Sequence, residues 1–157
     1  MSYFILKYMH ILGACVLFGT GIGIAFFMFF AVHTKSVEVV ASVSPLVVLA
    51  DYIFTLTAAF LQPITGALLV LEVGYSFFDH WVMFSLLLYL VIGLCWIPVV
   101  FMQIEMKKLA LHALSMGEPL PRKFHTLYKR WFILGWPAFL SIMIIFALMI
   151  EKPIRLF

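Results

Sequence analysis

Four long apolar stretches constrain the fold of this chain more than any other feature. They run over residues 3–31, 45–73, 81–103 and 131–150, and about 20 apolar residues suffice for a helix to cross a bilayer. Of the 157 residues, 66% are hydrophobic and 11% are charged, whereas about a quarter of the residues of a soluble domain are charged. The sequence therefore predicts an all-α polytopic membrane protein, a four-transmembrane-helix bundle in which residues 1–157 form a single membrane domain surrounded by the lipid bilayer.

Lysine and arginine are distributed unevenly over the segments between these stretches. The segment after the first stretch and the connector of residues 104–130 after the third contain seven of the ten. The other three are Lys7, Lys152 and Arg155. By the positive-inside rule the basic segments, including the connector, are cytoplasmic, so both termini are predicted on the outer (periplasmic) side.

The connector and the N-terminus each permit a further prediction. The first half of the connector, IEMKKLALHALSMG, has leucines at helical spacing and is predicted to continue the third helix until GEPLP breaks it. The N-terminus has neither a basic cluster nor a small-residue cleavage site. The first stretch is therefore predicted to be a retained span rather than a signal peptide.

Several classes of function find no support in the sequence. The net charge of +3 is small and dispersed, which argues against nucleic acid as a partner. Cys15 and Cys95 lie in apolar stretches without metal-ligand spacing, and the nine methionines are too scattered for a copper relay. No nucleophile elbow, phosphate loop or zinc motif is present. Whether the protein is an enzyme stays open; an oxidoreductase using a cofactor or a lipid-soluble substrate is the favoured kind.

His10 is the clearest functional candidate, because an ionisable side chain inside the hydrocarbon is costly. It lies roughly 9 Å below the outer boundary, at about 1.5 Å per residue. Helical spacing puts Gly13 and Gly21 on its face, and Gly19 with Gly23 forms a pair of small residues nearby. Such a face lets another helix or a flat cofactor approach the backbone closely. Two interpretations stay open: a neutral histidine bonded to a neighbouring helix, or one that binds a ligand or handles protons.

Polar residues in the second and third spans recur at helical intervals. In the second span they are Asp51, Thr55, Gln62, Thr65 and Gly66, and in the third they are Ser85, Tyr89, Trp96 and Gln103. Both stripes are predicted to face the bundle interior, since polar groups avoid lipid. Counted from the outer edge, His10 is level with Gln62 or Thr65 and with Ser85 or Tyr89. This depth predicts a polar pocket in the outer half of the bundle.

Three of these polar residues have simpler interpretations as well. Asp51 is predicted near the cytoplasmic end of its span, where it caps the helix or pairs with a loop lysine. Gln62 precedes Pro63, whose missing N–H frees a carbonyl one turn back, and the Gln62 amide is a candidate donor to it. His80 begins the third span on the same side as His10. It is the best remaining candidate for a second ligand, although an interfacial histidine is the commoner case.

Three segments resemble the HemJ-type membrane proteins. The segment LKYMHILGACVLFGTGIGIAFFMFFAVHT is similar to their first span, with histidines at His10 and His33. The segment YIFTLTAAFLQPITGALLV is similar to their second span, and YKRWFILGWPAFLSIMIIFALMIEKP to their last. The chain also resembles an uncharacterised family of predicted bacterial integral membrane proteins, related in fold to HemJ-type and CopD-type proteins. That resemblance implies a bacterial inner (cytoplasmic) membrane location.

The HemJ resemblance implies haem b, because those proteins are haem-binding oxidases of protoporphyrinogen whose first-span histidine is an axial ligand. His10 matches that ligand. Their essential lysine early in the third span is absent, since Phe84 and Ser85 occupy the aligned positions, and Leu134-Gly135-Trp136 replaces their Asn-Glu pair. These departures favour haem binding over protoporphyrinogen oxidation. The candidate cofactor site is His10 as ligand of the haem iron, with Gly13, Gly21, Gln62, Thr65, Ser85, Tyr89 and His80 around it.

Three hypotheses of function follow. The first is a membrane b-type haem-binding redox protein that exchanges electrons with a quinone or a porphyrin. The second is a non-enzymatic subunit or scaffold, which works as a homo-oligomer or beside a partner membrane subunit. The third is a small carrier for a metal or solute, by analogy with CopD-type folds.

Overall fold

The computed structural model describes residues 2–151, with the backbone alone for Ser2, and this part of the chain is entirely helices and short turns. The helices are α1 (Ser2–His33), α2 (Val37–Ala50), α3 (Leu56–Val73), α4 (His80–Met116) and α5 (Arg122–Glu151), and a π-helical turn, Asp51–Thr55, joins α2 to α3. Residues 37–73 are therefore continuous, and four helical segments are long and apolar enough to cross a membrane. The predicted all-α bundle of four spanning helices is confirmed.

The helices extend further than the hydropathy pattern predicted. The second segment begins at Val37 rather than near residue 45, because Ser36 caps it by accepting the backbone N–H of Val39 at 3.2 Å. The connector of residues 104–130 is mostly helical, since α4 continues to Met116 and α5 begins at Arg122. Its break lies within GEPLP, as predicted. Lys152 and Arg155, which entered the orientation prediction, lie outside the described residues.

Two helices end at a glycine with left-handed backbone. Gly74 (φ 75°) follows α3 and Gly117 (φ 66°) follows α4, and each donates its N–H back to the last turn of its helix. A side chain would strain the backbone at either position. These ends set two of the three short connections that reverse the chain, residues 74–79 and 117–121.

The four spans pack most tightly at one end of the bundle. An even number of spans puts the start of α1 and the end of α5 on one side, here called the terminal side; the opposite side, with Lys35 and the 117–121 turn, is the basic side. The main core lies towards the basic side and consists of Ile24, Met28, Ala31, Val40, Ala41, Val47, Met106, Ala110, Phe124 and Trp131. A much smaller cluster on the terminal side contains Val70, Tyr75 and Val82.

Towards the terminal side the bundle separates into two helix pairs. There α1 packs against α3, and α4 packs against α5. Long aromatic side chains connect the pairs: Phe18 of α1 contacts Phe139 and Phe146 of α5, with ring centroids 5.8 and 5.3 Å apart. Large apolar side chains cover most of the outer surface of the spans, which is the surface that a lipid bilayer solvates.

Candidate functional site

His10 and Thr65 form the centre of the contact between α1 and α3. His10 Nδ1 lies 2.8 Å from Thr65 Oγ1, and that hydroxyl lies 2.8 Å from the carbonyl of Leu61, to which it donates. When the hydroxyl proton is directed to the Leu61 carbonyl, His10 Nδ1 acts as the donor to Thr65, and the neutral ring then carries its proton on Nδ1.

Two glycines allow these helices to approach closely. A Cβ at Gly66 would lie 3.2 Å from His10 Cε1, and a Cβ at Gly13 would lie 3.1 Å from Gln62 Nε2. Both distances are shorter than ordinary van der Waals contact. The imidazole therefore rests on the backbone of α3, and the Gln62 amide rests on the backbone of α1.

Gln62 joins the same group by a bond to the backbone. Its Nε2 donates to the His10 carbonyl at 2.9 Å, so the interpretation that it satisfies the carbonyl freed by Pro63 is wrong. That carbonyl belongs to Ala59, four residues before the proline, and Tyr89 of α4 donates its hydroxyl to it at 2.5 Å. Tyr89 therefore connects α4 to α3 at the proline.

The predicted site residues separate into two groups. His10, Gly13, Gln62 and Thr65 meet at the α1–α3 contact, and the polar side chains among them are mostly buried. Ser85 is buried but donates to Trp81 of its own helix at 2.7 Å. His80 is exposed at the start of α4, and Gly21 is exposed on α1, where a Cβ would meet no neighbouring atom within 4 Å. The shared depth of His10, Gln62 and Thr65 was predicted, but which of the residues at this depth contact one another was not.

A shallow groove of about 150 Å³ lies beside this contact, on the surface between α1 and the second span. Its walls are almost wholly apolar and include Leu12, Gly13, Val16, Phe54, Ala58 and Leu61. Pockets that enclose a drug-sized ligand have volumes of about 300–1,000 Å³. The groove is therefore a surface that a ligand can lie against rather than a chamber that encloses one.

Asp51 belongs to a second polar group. It lies in the π-helical turn, fourteen residues after the start of the second segment, and only 4% of it is exposed. The segment begins at Val37, so the interpretation that Asp51 caps it is wrong. Pairing of Asp51 with a loop lysine is wrong as well; the ion pair seen among residues 3–151 is Lys123–Glu105, at 2.7 Å. Trp96 Nε1 of α4 donates to Asp51 Oδ1 at 3.4 Å, and the Thr55 and Gln103 side chains lie beside the carboxyl group. The two polar stripes of the sequence contain all four residues, but their meeting at one place was missed.

Within residues 2–151 no group of three or more His, Cys, Asp or Glu side chains is placed to hold a metal ion. Any metal at His10 would therefore need to arrive with other ligands of its own, as iron does in a porphyrin.

The sequence also matches the model of a protein family. A model of the family described as "Predicted integral membrane protein (DUF2269)" matches residues 4–153. No curated protein and no solved structure matches the chain, and the resemblance to HemJ-type and CopD-type proteins stays a prediction. Because the match covers nearly the whole sequence, the chain belongs to the DUF2269 family of predicted integral membrane proteins.

Proposed function

We propose that this protein is a membrane-embedded b-type haem-binding redox protein of a bacterial inner (cytoplasmic) membrane, with His10 as the iron ligand. The observation that supports this most is the 2.8 Å hydrogen bond between His10 Nδ1 and Thr65 Oγ1. Histidines that bind metals usually donate their other ring N–H to a fixed acceptor, which sets the tautomer and the ring orientation. Thr65 is such an acceptor when its own proton is directed to the Leu61 carbonyl.

The residues fit haem by offering one imidazole nitrogen for its iron. His10 would hold the iron through Nε2, Thr65 would orient the imidazole, and haem when bound would supply one-electron oxidation and reduction. The groove beside Gly13 is shallow and apolar and is not lined by His10, so a porphyrin held by His10 would stay largely in contact with lipid. A quinone or a second porphyrin, both soluble in the bilayer, could then exchange electrons without entering water.

The role of Gln62 in this proposal is to fix the helix that presents the ligand. Its bond to the His10 carbonyl holds the backbone of α1 against α3, and Gly13 provides the space for the amide. The imidazole is therefore positioned at two points, by its ring and by its backbone. Positioning of a ligand by packed neighbours is what a defined redox site requires.

The experiment is a titration of haemin into the detergent-purified protein, followed by absorbance. The wild type is expected to bind one haem per chain, the His10→Gly variant to lose that binding, and added imidazole to restore it. His112→Gly is the matched control, because His112 is an exposed histidine in the last turns of α4. Binding that is absent in the wild type, or equal in His10→Gly and the wild type, would reject the proposal.

His80→Ala tests the second ligand in the same titration. His80 is exposed at the start of α4, and we expect its removal to leave both the stoichiometry and the spectrum unchanged. If the absorbance spectrum of haem-loaded His80→Ala differs from that of the wild type, His80 is a second ligand of the iron.

A second candidate function is a membrane subunit without enzymatic activity. The observation in its favour is that Gly19 and Gly23, one turn apart on α1, have no atom within 4 Å of where a Cβ would be, so this face is not used for packing within the described part of the chain. Small residues of this kind let a helix of another chain approach closely in a membrane. Isolation of a stoichiometric partner or a homo-oligomer, with no absorbance from a cofactor, would favour this function over haem binding. No feature of residues 2–151 gives comparable support to a metal or solute carrier.

A further inference from the structure

Asp51 is a buried carboxyl group in a membrane-crossing segment. The segment runs from Val37 to Val73, and only 4% of Asp51 is exposed. A carboxylate buried in such a segment is costly, and one that is retained marks a functional position by default. The backbone here leaves the α-helical pattern, because residues 51–55 form a π-helical turn, and such turns are frequent at functional sites.

The groups around Asp51 are neutral. The Trp96 indole N–H donates to Asp51 Oδ1, and the Thr55 and Gln103 side chains lie beside the carboxyl group. No Lys, Arg, His, Asp or Glu of the helices packed around it is among them. Asp51 therefore has no cationic partner within the described residues, although a buried carboxylate normally requires one.

Several polar atoms around this position are buried without a hydrogen-bond partner among residues 3–151. They are Asp51 Oδ2, Thr55 Oγ1 and Gln103 Oε1, together with Ser44 Oγ two turns earlier in α2. Each of these atoms exposes less than 1 Å², so no space for a water molecule or a hydrated ion borders them. A buried polar atom left in this condition costs about 1–3 kcal/mol.

A proton is the one ligand that satisfies these atoms without a cavity. Added to Asp51 Oδ2, it removes the buried charge and converts an acceptor into a donor. Thr55 Oγ1 and Gln103 Oε1 are acceptors for that donor. We propose that Asp51 is a proton-binding site within the membrane, which holds a proton from bulk water in this closely packed form and releases it to water when the packing around the π-helical turn opens.

The wild-type chain itself permits the test, because it contains only two aspartates, Asp51 and Asp79. Asp79 lies in the connection between α3 and α4, where its Oδ2 accepts the backbone N–H of Ser76 at 3.0 Å. Protein labelled with ¹³C at the aspartate carboxyl carbon should give two signals by solid-state NMR in lipid bilayers. The Asp79→Asn variant assigns them without touching the site.

At pH 7 the Asp51 signal is expected at the position of a protonated carboxyl group. An Asp51 signal at the carboxylate position at pH 7 would overturn the proposal. A shift of the Asp51 signal when Na⁺ replaces choline at constant ionic strength would overturn it too, because the site would then bind a metal cation.

Discussion

The hydroxyl group of Tyr89 donates a hydrogen bond to the backbone carbonyl of Ala59, with an O···O distance of 2.5 Å. In an uninterrupted helix this carbonyl would accept the N–H of residue 63, but residue 63 is a proline. In lipid no water is available to replace the missing donor. A side chain of α4 therefore completes the backbone bonding of α3, and this bond is one of the few direct links between those helices.

Removal of this hydroxyl should destabilise the fold. We expect Tyr89→Phe to lower the free energy of unfolding by about 1–2 kcal/mol, because the Ala59 carbonyl is left without a donor. Unfolding in detergent micelles, titrated with a denaturing detergent and followed by circular dichroism, measures the change. Tyr52→Phe is the matched control, because Tyr52 is exposed on the lipid-facing surface, and it should change the free energy little.

A double-mutant cycle with Pro63→Ala tests the cause. Alanine at residue 63 restores a backbone N–H for the Ala59 carbonyl, so Tyr89→Phe should cost less in that background than in the wild type. Equal costs in both backgrounds would show that Tyr89 contributes by packing alone.

Alanine substitutions at Gly66, which contacts His10, and at Gly93, which lies in open space, are expected to change the stability in opposite directions. Gly66→Ala places a Cβ 3.2 Å from His10 Cε1, and the imidazole cannot move away without breaking its bond to Thr65. We expect a loss of about 1–3 kcal/mol from this overpacking. Gly93→Ala, in open space on α4, should instead gain up to about 1 kcal/mol from helix propensity. If the unfolding curves of Gly66→Ala and Gly93→Ala coincide, the close contact between His10 and Gly66 is contradicted.

Gly117 offers a similar comparison at the turn between α4 and α5. Its φ of 66° is unfavourable for a residue with a Cβ by about 1–2 kcal/mol, so Gly117→Ala should lower the melting temperature. Gly135→Ala, within α5 and without close neighbours, should raise it slightly or leave it unchanged. Thermal unfolding of the three proteins in one detergent decides the order, and a Gly117→Ala variant as stable as the wild type would contradict the left-handed conformation.

Thr65 should act on haem binding through His10 rather than by contact with the haem. Loss of a partner of this kind typically weakens metal binding about 10–100-fold, and we expect Thr65→Val to weaken haemin binding by about that factor while leaving one haem per chain. Thr126→Val is the control, because the Thr126 hydroxyl is exposed and donates to Arg122 of its own helix at 3.2 Å. A Thr65→Val protein that binds haemin as the wild type does would remove Thr65 from the site. An unchanged affinity with a lower stability would give it a structural role alone.

The sequence predicted the membrane architecture well because a long apolar run has one stable outcome in lipid, a helix. It failed at the start of the second span, where Glu38, Ser42 and Pro45 have the composition of a loop. Proline is common in a first helical turn, so the pattern favours a helix that starts at Pro45. The helix instead passes through this proline, and Asp51 consequently lies further from the end of the span than predicted.

The candidate site was predictable in part for the same reason. Polar residues at helical spacing must face the interior in lipid, and Asp51, Gln62 and Thr65 are all buried. Their partners were not predictable, because a pair such as Tyr89 and Ala59 depends on how two helices rotate and tilt against each other. Gln62 illustrates the difference: its inward direction followed from the sequence, but its bond to the His10 carbonyl did not.

The most direct test of the account is the reduced-minus-oxidised absorbance spectrum of the protein purified from cells that are supplied with a haem precursor. The wild type should show the bands of a b-type haem, and His10→Ala should lose them while it keeps its helical circular dichroism. His112→Ala should be indistinguishable from the wild type. A wild-type spectrum without haem bands, or bands of equal height in His10→Ala, would contradict the assignment of His10 as the iron ligand.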